Sequence, residues 1–230
     1  MAENKGFVIA IDGPVASGKG ALAAQLAKKL KGFYLYTGAM YRSVAFLCIE
    51  KGIDLENESD VESVLSDLNI ELENDRVILN GQDVTERLNE PDTASGSSVV
   101  GVYPNVRQVA VLKQQEIGEK AIKNGKIVVA EGRDIGTVVF PNAAAKIYLT
   151  ARPEIRAKRR MEQFITQKKD LTKELQNLKT RDKRDTEREV GPLPSDPENL
   201  GYFILDNSDL TEDQTMEKVL GELKKRNLII

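Results

Sequence analysis

The sequence predicts an α/β fold, in which helices cover both faces of a parallel β-sheet. Five short apolar runs have the length of strands, and helical patterns separate them along the chain. Most of these runs are apolar throughout rather than alternating, which is typical of strands that are buried on both faces. The predicted strands are residues 7–12, 33–36, 126–131, 145–150 and 202–207. With 230 residues, 40% of them apolar, the chain is long enough for one domain with insertions.

The composition excludes several classes of chemistry. The chain has no histidine, which removes Ser-His-Asp triads, histidine-bound zinc and an imidazole base. Its single cysteine, Cys48, cannot form an internal disulfide and is expected to pack in the core. A net charge of −3 gives no overall attraction to nucleic acid or to a membrane, and no apolar run reaches membrane-spanning length. Because no signal-peptide pattern precedes the first strand, we expect a cytoplasmic protein that binds neither nucleic acid nor membranes.

The first predicted strand leads into a loop that fits a phosphate-binding motif. GPVASGKG, residues 13–20, has two glycines separated by four residues and followed directly by a lysine. Gly13 and Gly18 permit turns that aim successive backbone N–H groups inward, and the helix that follows adds its dipole. Lys19 then reaches the β- and γ-phosphates. The residues predicted to surround the phosphates are Gly13, Pro14, Val15, Ala16, Ser17, Gly18, Lys19, Gly20 and Ala21.

The loop alone does not identify the reaction, because GTPases, ATPases and small-molecule kinases all use it. The chain has neither the NKxD motif that reads guanine nor the DxxG switch motif, which argues against a GTPase switch. Such loops normally place a serine or threonine hydroxyl after the lysine to bind magnesium, whereas this chain has Gly20 and Ala21. The sequence therefore predicts phosphate binding here and leaves the chemistry open.

Two further segments complete the predicted organisation. Residues 70–86 alternate with a period of two and carry turn signals at Asn80-Gly81 and at residues 74–75, which predicts a small antiparallel β insertion. Residues 152–189 are mostly charged, and this composition predicts a solvated helical hairpin.

Charged side chains follow the second and third predicted strands, where ligands bind in open parallel sheets. Thr37 and Arg42, in TGAMYR, offer a hydroxyl and a guanidinium suited to phosphate, although a structural salt bridge explains Arg42 equally well. Arg133 and Asp134, in EGRDIG, have glycines on both sides that permit close approach of a ligand. This favours a functional role over a helix cap or a local ion pair.

A third charged group lies in RDKRDTER, residues 181–188. Arg181, Asp185 and Arg188 are spaced by four and three, so they share one face of a predicted helix. Taken alone, the pattern is typical of a solvated ion-pair ladder.

Together these segments resemble the bacterial cytidylate kinase family. The matching stretches keep the family's order and span nearly the whole chain. They are IDGPVASGKG, YTGAMYR, LNGQDVTE, YPNVR, EGRDIGTVVFPNAAAKIYLTA, IRAKRRM, RDKRDTER followed by PL, and ILDNSDL. GRDIGTVVFP is highly specific, whereas the phosphate loop is shared by many families.

The resemblance implies a P-loop NTPase core with a five-stranded parallel sheet, a lid, and a region that binds a nucleoside monophosphate and carries the β insertion. All three are expected within a single domain, residues 1–230. The core is expected at residues 1–36, 100–155 and 190–230, the acceptor region at about 37–99 and the lid at about 156–189.

The activity that the resemblance implies is transfer of the γ-phosphoryl group of ATP to CMP or dCMP. Mg²⁺ would be held mainly through the ATP phosphates and water, without a protein ligand, and we expect a monomer. The acceptor phosphate has its second ionisation near pH ~6, so it is already a nucleophile at neutral pH and the reaction requires no histidine base. Two alternatives stay open: another P-loop kinase of nucleotides or metabolites, and a non-catalytic nucleotide-binding relative.

The resemblance also implies roles for individual residues. Ser98, Arg107 and Asp134 would meet cytosine, whose N4 amino group can donate to the Asp134 carboxylate. The acceptor phosphate would be held by Thr37, Arg42, Arg133 and Arg188, and the sugar by Arg181 and Asp185. Arg156, Arg159 and Arg160 are the lid candidates that face ATP, and the catalytic set would be Lys19, Arg133, Arg160 and Arg188. The chain departs from the family at three places. The family usually has threonine or serine where this chain has Ala21, and aspartate where it has Tyr36. It also usually has an arginine near the positions of Leu88 and Asn89.

Overall fold

The computed structural model describes residues 6–73, 76–162 and 170–230. Its strands are β1 (Val8–Asp12), β2 (Phe33–Tyr36), β3 (Ile70–Glu73), β4 (Arg76–Leu79), β5 (Gln82–Asp83), β6 (Val128–Gly132), β7 (Ala145–Thr150) and β8 (Phe203–Asp206). Its helices are α1 (Lys19–Lys29), α2 (Gly38–Glu50), α3 (Glu58–Glu62), α4 (Pro91–Val100), α5 (Pro104–Lys123), α6 (Pro153–Glu162), α7 (Leu171–Glu187) and α8 (Glu212–Lys225). Short turns of 3-10 helix lie at Leu65–Asp67 and Arg87–Asn89, and a turn of π-helix lies at Ile135–Val139.

Five strands form a parallel sheet in the order β2-β6-β1-β7-β8, which confirms the predicted strands and fold class. The middle strand, β1, pairs with β6 on one side and with β7 on the other. Its last residue, Asp12, lies opposite Gly132 and Tyr148. On the next strand along, Tyr36 at the end of β2 lies opposite Glu131. The carboxyl ends of these strands therefore meet at one edge of the sheet.

Both faces of the sheet are covered, which explains why β1 is apolar from residue 8 to residue 11. Ile9 and Ile11 are fully buried in the cluster that includes residues of α1 and α8. Val8 and Ala10 belong to the cluster on the other face, where side chains of α5 pack. Because alternate residues of a strand point to opposite faces, residues 8–11 are all buried and all apolar, and the charged residue of β1, Asp12, lies at the end of the strand.

The predicted β insertion is confirmed as a second, antiparallel sheet in the order β3-β4-β5. Asn80 and Gly81 form the turn between β4 and β5 with φ angles of 52° and 80°, the conformation that this dipeptide favours. The turn predicted at residues 74–75 lies outside the described residues. Cys48 of α2 is buried in the apolar cluster that joins α2 to this sheet, as the sequence predicts.

The charged segment forms two helices, α6 and α7, which pack against each other. The prediction that they are solvated is wrong for the sides that face inward. Arg156 and Glu174 are only 6% and 7% exposed, and Leu178 of α7 is 1% exposed. Charge content therefore predicted the two helices but not which of their faces is buried. The connection expected between them, residues 163–169, lies outside the described residues. Among the helices that are described, none is long and apolar enough to cross a membrane.

Leu26→Ala tests the contribution of α1 to the core. Leu26 is fully buried against the sheet, so its truncation leaves a cavity and lowers the free energy of unfolding by about 2–5 kcal/mol. Urea unfolding followed by circular dichroism measures the loss. Lys28→Ala, on the exposed side of the same helix, is the matched control and changes the free energy by less than ~0.5 kcal/mol. Equal losses in the two variants would contradict this packing.

Candidate active site

A cavity opens beyond the carboxyl ends of β2 and β6, where parallel α/β sheets bind ligands. Eight of the nine residues predicted to bind the acceptor line it, namely Thr37, Ser98, Arg107, Arg133, Asp134, Arg181, Asp185 and Arg188. The ninth, Arg42, lies outside this set. Its guanidinium donates to the Leu88 carbonyl at 2.7 Å and to Asn89 Oδ1 at 2.9 Å, and it lies over the Tyr36 ring at 5.7 Å from the centroid.

The phosphate loop connects β1 to α1, as its motif predicts. Gly13, Ala16 and Gly18 have φ angles of 151°, 58° and 92°, so three of its residues adopt conformations with positive φ. A side chain at Gly13 would overlap the Leu149 carbonyl of β7, so only glycine fits at this position. Ala16 carries a side chain in a region that glycine normally occupies, which places local backbone strain within the loop.

Lys19 is folded back onto its own loop. Its side chain is buried, and Nζ donates to the Pro14 carbonyl at 2.8 Å and reaches Ser17 Oγ at 3.5 Å. Burial, with a smaller contribution from Arg133, lowers the pKa of Lys19 to about 7. An anion that enters the loop offers this ammonium group better partners than one carbonyl and one hydroxyl.

Two arginines of α6 hold the phosphate loop from outside. Arg156 donates to the Val15 carbonyl at 3.0 Å and pairs with Asp182 of α7 at 2.8 Å. Arg159 donates to Oδ1 and to the backbone carbonyl of Asn207, both at 2.9 Å. The guanidinium of Arg156 thus bonds to a backbone carbonyl and a carboxylate. Arg159, in addition to its bonds with Asn207, lines a second cleft beside the loop. Ala21 and Gln25 of α1 and Leu210 line the same cleft.

The Asp134 carboxylate lies between two buried guanidinium groups. Arg107 donates to Asp134 Oδ2, and Arg188 NH2 lies 3.5 Å from Oδ1. Arg107 also donates to the Gly101 carbonyl at 3.1 Å and lies over the Tyr41 ring at 5.3 Å. The side chain of Arg107 is 1% exposed and that of Arg188 is 6% exposed, so the three charged groups compensate one another away from water.

Asp185 of α7 pairs with a third arginine of the cavity, Arg133. Arg133 Nε donates to Asp185 Oδ2 at 2.6 Å, and Arg188 NH1 lies 3.7 Å from Oδ1. Burial acts to raise the pKa of Asp185, but the attraction of Arg133 and Arg188 outweighs it and holds the pKa below its usual range. The surface ion-pair ladder that the spacing alone favoured is therefore wrong, since the main partner of Asp185 comes from the turn after β6.

Two further arginines add positive charge, Arg181 in the wall of the cavity and Arg160 in a neighbouring cleft. Arg181 donates to the Ala94 carbonyl at 3.0 Å, and Arg160 Nε lies 3.7 Å from Glu174 Oε1. Burial, together with repulsion from Arg160 and Arg133, lowers the pKa of Arg181 to about 10. Guanidinium groups that repel one another in a low-dielectric cavity are stabilised by phosphate, whose oxygens accept paired hydrogen bonds.

Two hydroxyl groups at the cavity differ in their bonding. Thr37 Oγ1 donates to the Glu131 carbonyl at 2.5 Å and thereby joins α2 to the end of β6. Ser98 Oγ is buried and has no hydrogen-bond partner within the described part of the chain. A buried hydroxyl without a hydrogen-bond partner lowers the stability of the folded protein, so Ser98 is suited to bind a polar group of a ligand.

Comparison with known proteins identifies the family to which this geometry belongs. The model of the family described as cytidylate kinase matches residues 9–225. The chain belongs to the cytidylate kinase family. This confirms the resemblance that the motifs indicated, and the alternatives of an unrelated P-loop kinase or a non-catalytic relative are not favoured.

Curated cytidylate kinases are similar over nearly their full length. That of Caldanaerobacter subterraneus subsp. tengcongensis is 41% identical over 219 residues, which cover 94% of this chain and 94% of the relative. That of Bacillus licheniformis is 38% identical over 229 residues, 96% of this chain and 98% of the relative. A crystal structure of an uncharacterized protein from Eubacterium ventriosum has a similar fold, with a TM-score of 0.55 at 15% identity and coverage of 96% and 99%.

Sequence reasoning missed several residues that line the cavity, among them Tyr41, Gln114 and Glu131. Gln114 of α5 donates to the Thr37 carbonyl at 3.4 Å, a contact between distant segments that no local pattern indicates. Glu131 could have been found, because a carboxylate at the carboxyl end of a buried strand beside the phosphate loop is a strong signal. Its negative charge acts to raise the pKa of Lys19.

The pKa of Lys19 predicts proton uptake when a triphosphate binds. At pH 8 much of this buried amine is neutral, and the negative charge of ATP raises its pKa, so binding takes up about one proton. Affinity therefore falls as the pH rises above about 7. Calorimetric titration with ATP in two buffers of different ionisation enthalpy counts the protons. Lys19→Met is the control, and equal proton uptake by both proteins would contradict the prediction.

Proposed function

We propose that the protein transfers the γ-phosphoryl group of ATP to CMP or dCMP, which yields ADP and CDP or dCDP. The observation that carries the proposal is the buried Asp134 carboxylate, held by Arg107 and Arg188 in the cavity beyond the carboxyl ends of β2 and β6. It supplies a hydrogen-bond acceptor for a base next to cations for a phosphate. Membership of the cytidylate kinase family supports the same reaction.

Cytosine recognition rests on the chemistry of Asp134. A carboxylate accepts hydrogen bonds only, so it pairs with the N4 amino group of cytosine and repels the O4 oxygen of uracil. Arg107 supplies donors for the ring acceptors of cytosine, and the unpaired Ser98 hydroxyl adds a further polar contact. A uracil base would leave these buried groups unpaired, which is a strong basis for discrimination.

The acceptor phosphate is assigned to Thr37, Arg133 and Arg188, with Arg42 added by movement from its contacts at Leu88 and Asn89. Arg181 and Asp185 are assigned to the sugar. The phosphate oxygen is the nucleophile, and catalysis consists of aligning it and stabilising charge with Lys19, Arg133, Arg160 and Arg188. No side chain has to remove a proton from it at neutral pH.

The donor is assigned to the phosphate loop, residues 13–21, with Arg159 at the adjacent cleft and Arg156 and Arg160 on the same helix, α6. This division retains the predicted regions: a core, an acceptor region at about 37–99 and a lid at about 156–189. A cytoplasmic monomer that binds neither nucleic acid nor membrane stays our prediction.

Magnesium fits this site through the nucleotide rather than through a protein cage. Among the described residues, no group of three side chains has the arrangement of a metal site, and Ala21 lacks a hydroxyl. Glu131 lines the cavity as a carboxylate that can accept from metal-bound water. Mg²⁺ that entered with ATP would supply positive charge to neutralise the phosphates.

A substrate panel tests the proposed function. ADP release from MgATP is measured with CMP, dCMP, UMP, AMP and dTMP in a coupled assay. We expect the largest kcat/KM with CMP or dCMP. Turnover of AMP or dTMP as fast as that of CMP, or ATP binding without any CDP formation, would overturn the proposal.

Asp134→Asn tests the base contact. The amide loses a charge-assisted bond to N4 and gains a donor that tolerates O4, so kcat/KM for CMP falls about 10- to 100-fold and the CMP-over-UMP ratio shrinks. The KM for ATP stays within about twofold of the original value. The control is Asp209→Asn, which alters an exposed ion pair with Arg152. A variant that retains the full CMP-over-UMP ratio would exclude Asp134 as the base contact.

Ala21→Thr tests the missing hydroxyl of the phosphate loop. One added hydrogen bond to a phosphate or to a metal-bound water contributes about 1.5–3 kcal/mol, so we expect the variant to use ATP more efficiently than the natural sequence at low magnesium. The natural sequence remains active because Lys19 and the loop amides persist. CDP formation is measured across a magnesium titration for both proteins. Product from the variant alone would show that the natural loop binds nucleotide without catalysis.

A further inference from the structure

A carboxylate outside the predicted site organises the turn that carries two of its members. Asp12, the last residue of β1, is fully buried. Its Oδ1 accepts from the backbone N–H of Ile135 at 2.8 Å, and its Oδ2 accepts from that of Gly136 at 2.8 Å. These are the first two amides after Arg133 and Asp134, so the turn of the cavity is tied to the central strand of the sheet.

The third partner of Asp12 comes from a distant part of the chain. Tyr202, directly before β8, donates its phenol O–H to Asp12 Oδ2 at 2.7 Å. The ring is 6% exposed and packs edge-on against Tyr148, with a centroid distance of 6.2 Å. A side chain at Gly136 would come within 2.6 Å of the phenol oxygen, so the glycine leaves the space that the tyrosine fills.

The ionisation of Asp12 suits it to this role. Burial raises its pKa to about 6, while the bonds from Gly136, Ile135 and Tyr202 act to lower it. At neutral pH the group is therefore mostly ionised, and an ionised carboxylate can accept all three hydrogen bonds. Without the phenol, the carboxylate keeps only the two backbone donors, and its hold on the turn weakens.

We propose that Tyr202 and Asp12 are positioning residues for the acceptor nucleotide, because together they fix the turn that presents Arg133 and Asp134 to the cavity. The inference rests on the proposed function insofar as those two side chains bind the phosphate and the base. Lys19 of the phosphate loop bonds instead to Pro14 and Ser17, so the phenol of Tyr202 supports the turn without a hydrogen bond to the group assigned to ATP.

Tyr202→Phe is the sharpest probe, because it removes one oxygen atom and keeps the ring. Asp12→Asn is less informative, since Asp12 directly precedes Gly13 of the phosphate loop and its change affects both substrates. Tyr148→Phe is the matched control: it deletes a neighbouring phenol oxygen for which no hydrogen bond is found within the described residues. Steady-state kinetics give KM for CMP and for ATP, and thermal unfolding gives Tm.

In Tyr202→Phe we expect KM for CMP to rise about five- to tenfold, the equivalent of one ordinary hydrogen bond, with KM for ATP within about twofold. The CMP-over-UMP ratio falls as well. Tyr148→Phe leaves the KM for CMP, the KM for ATP and the CMP-over-UMP ratio unchanged. An unchanged KM for CMP in Tyr202→Phe, or an equal rise of both KM values with a loss of Tm, would overturn the proposal.

Hydrogen–deuterium exchange of the wild type and both variants supplies a readout that does not depend on catalysis. The amides of Ile135 and Gly136 exchange faster in Tyr202→Phe than in the wild type or in Tyr148→Phe, if the phenol supports their acceptor. Failure of the wild type to phosphorylate CMP would overturn the proposed function, while equal exchange in all three proteins would overturn the positioning role.

Discussion

Arg107 and Arg188 lie almost entirely out of water, and the Asp134 carboxylate lies beside both. Removing a guanidinium group from water is so unfavourable that each must find an opposite charge or a ligand. The rest of the cavity follows from this constraint. Asp185 compensates Arg133 in the same way, and the two carboxylates keep the arginines in place when no substrate is present.

These ion pairs join segments that are far apart in the sequence. Arg107 comes from α5, Asp134 from the turn after β6, and Arg188 from the residue after α7. The cavity is therefore lined by three segments that are distant in the sequence, and its shape depends on all three. Under the proposed function, a phosphate that binds Arg133 would exchange the Asp185 carboxylate for phosphate oxygens.

Local patterns predicted the elements well because each has a local physical cause. Residues 8–11 of β1 are apolar because both faces of the sheet are buried there, and Asn80-Gly81 adopts its turn because these residues tolerate positive φ. The inward faces of α6 and α7 were not predictable in this way. Charged residues occupy both faces of these helices, so only the packed structure shows that Arg156 is buried while Glu154 and Lys158 are exposed. The link between Tyr202 and Asp12 spans 190 residues and leaves no periodic signal.

The candidate site was predicted through family motifs more than through physical reasoning. RDKRDTER taken alone indicated a surface ladder, whereas Asp185 and Arg188 are largely buried in the cavity wall. Arg42 stays a prediction for the acceptor phosphate, since its guanidinium is bonded to Leu88 and Asn89 and has to move to reach a ligand. The position of a long side chain depends on which partners are nearest in space, and spacing along the chain does not contain that information.

The pairing of β1 also bears on how the protein is made. Val8 pairs with Val128, and Ile9 pairs with Ala145, so both neighbours of the central strand are synthesised more than a hundred residues later. At ribosomal rates of roughly 5–20 residues per second, β1 waits roughly 6–24 s for its first partner. The apolar cluster shared by α2 and the β insertion also includes Val106 and Ala110 of α5, so its last buried residue is synthesised 18 residues before Val128. The cluster is therefore complete only shortly before the parallel sheet begins to close, and the phosphate loop becomes fixed when that sheet closes around it.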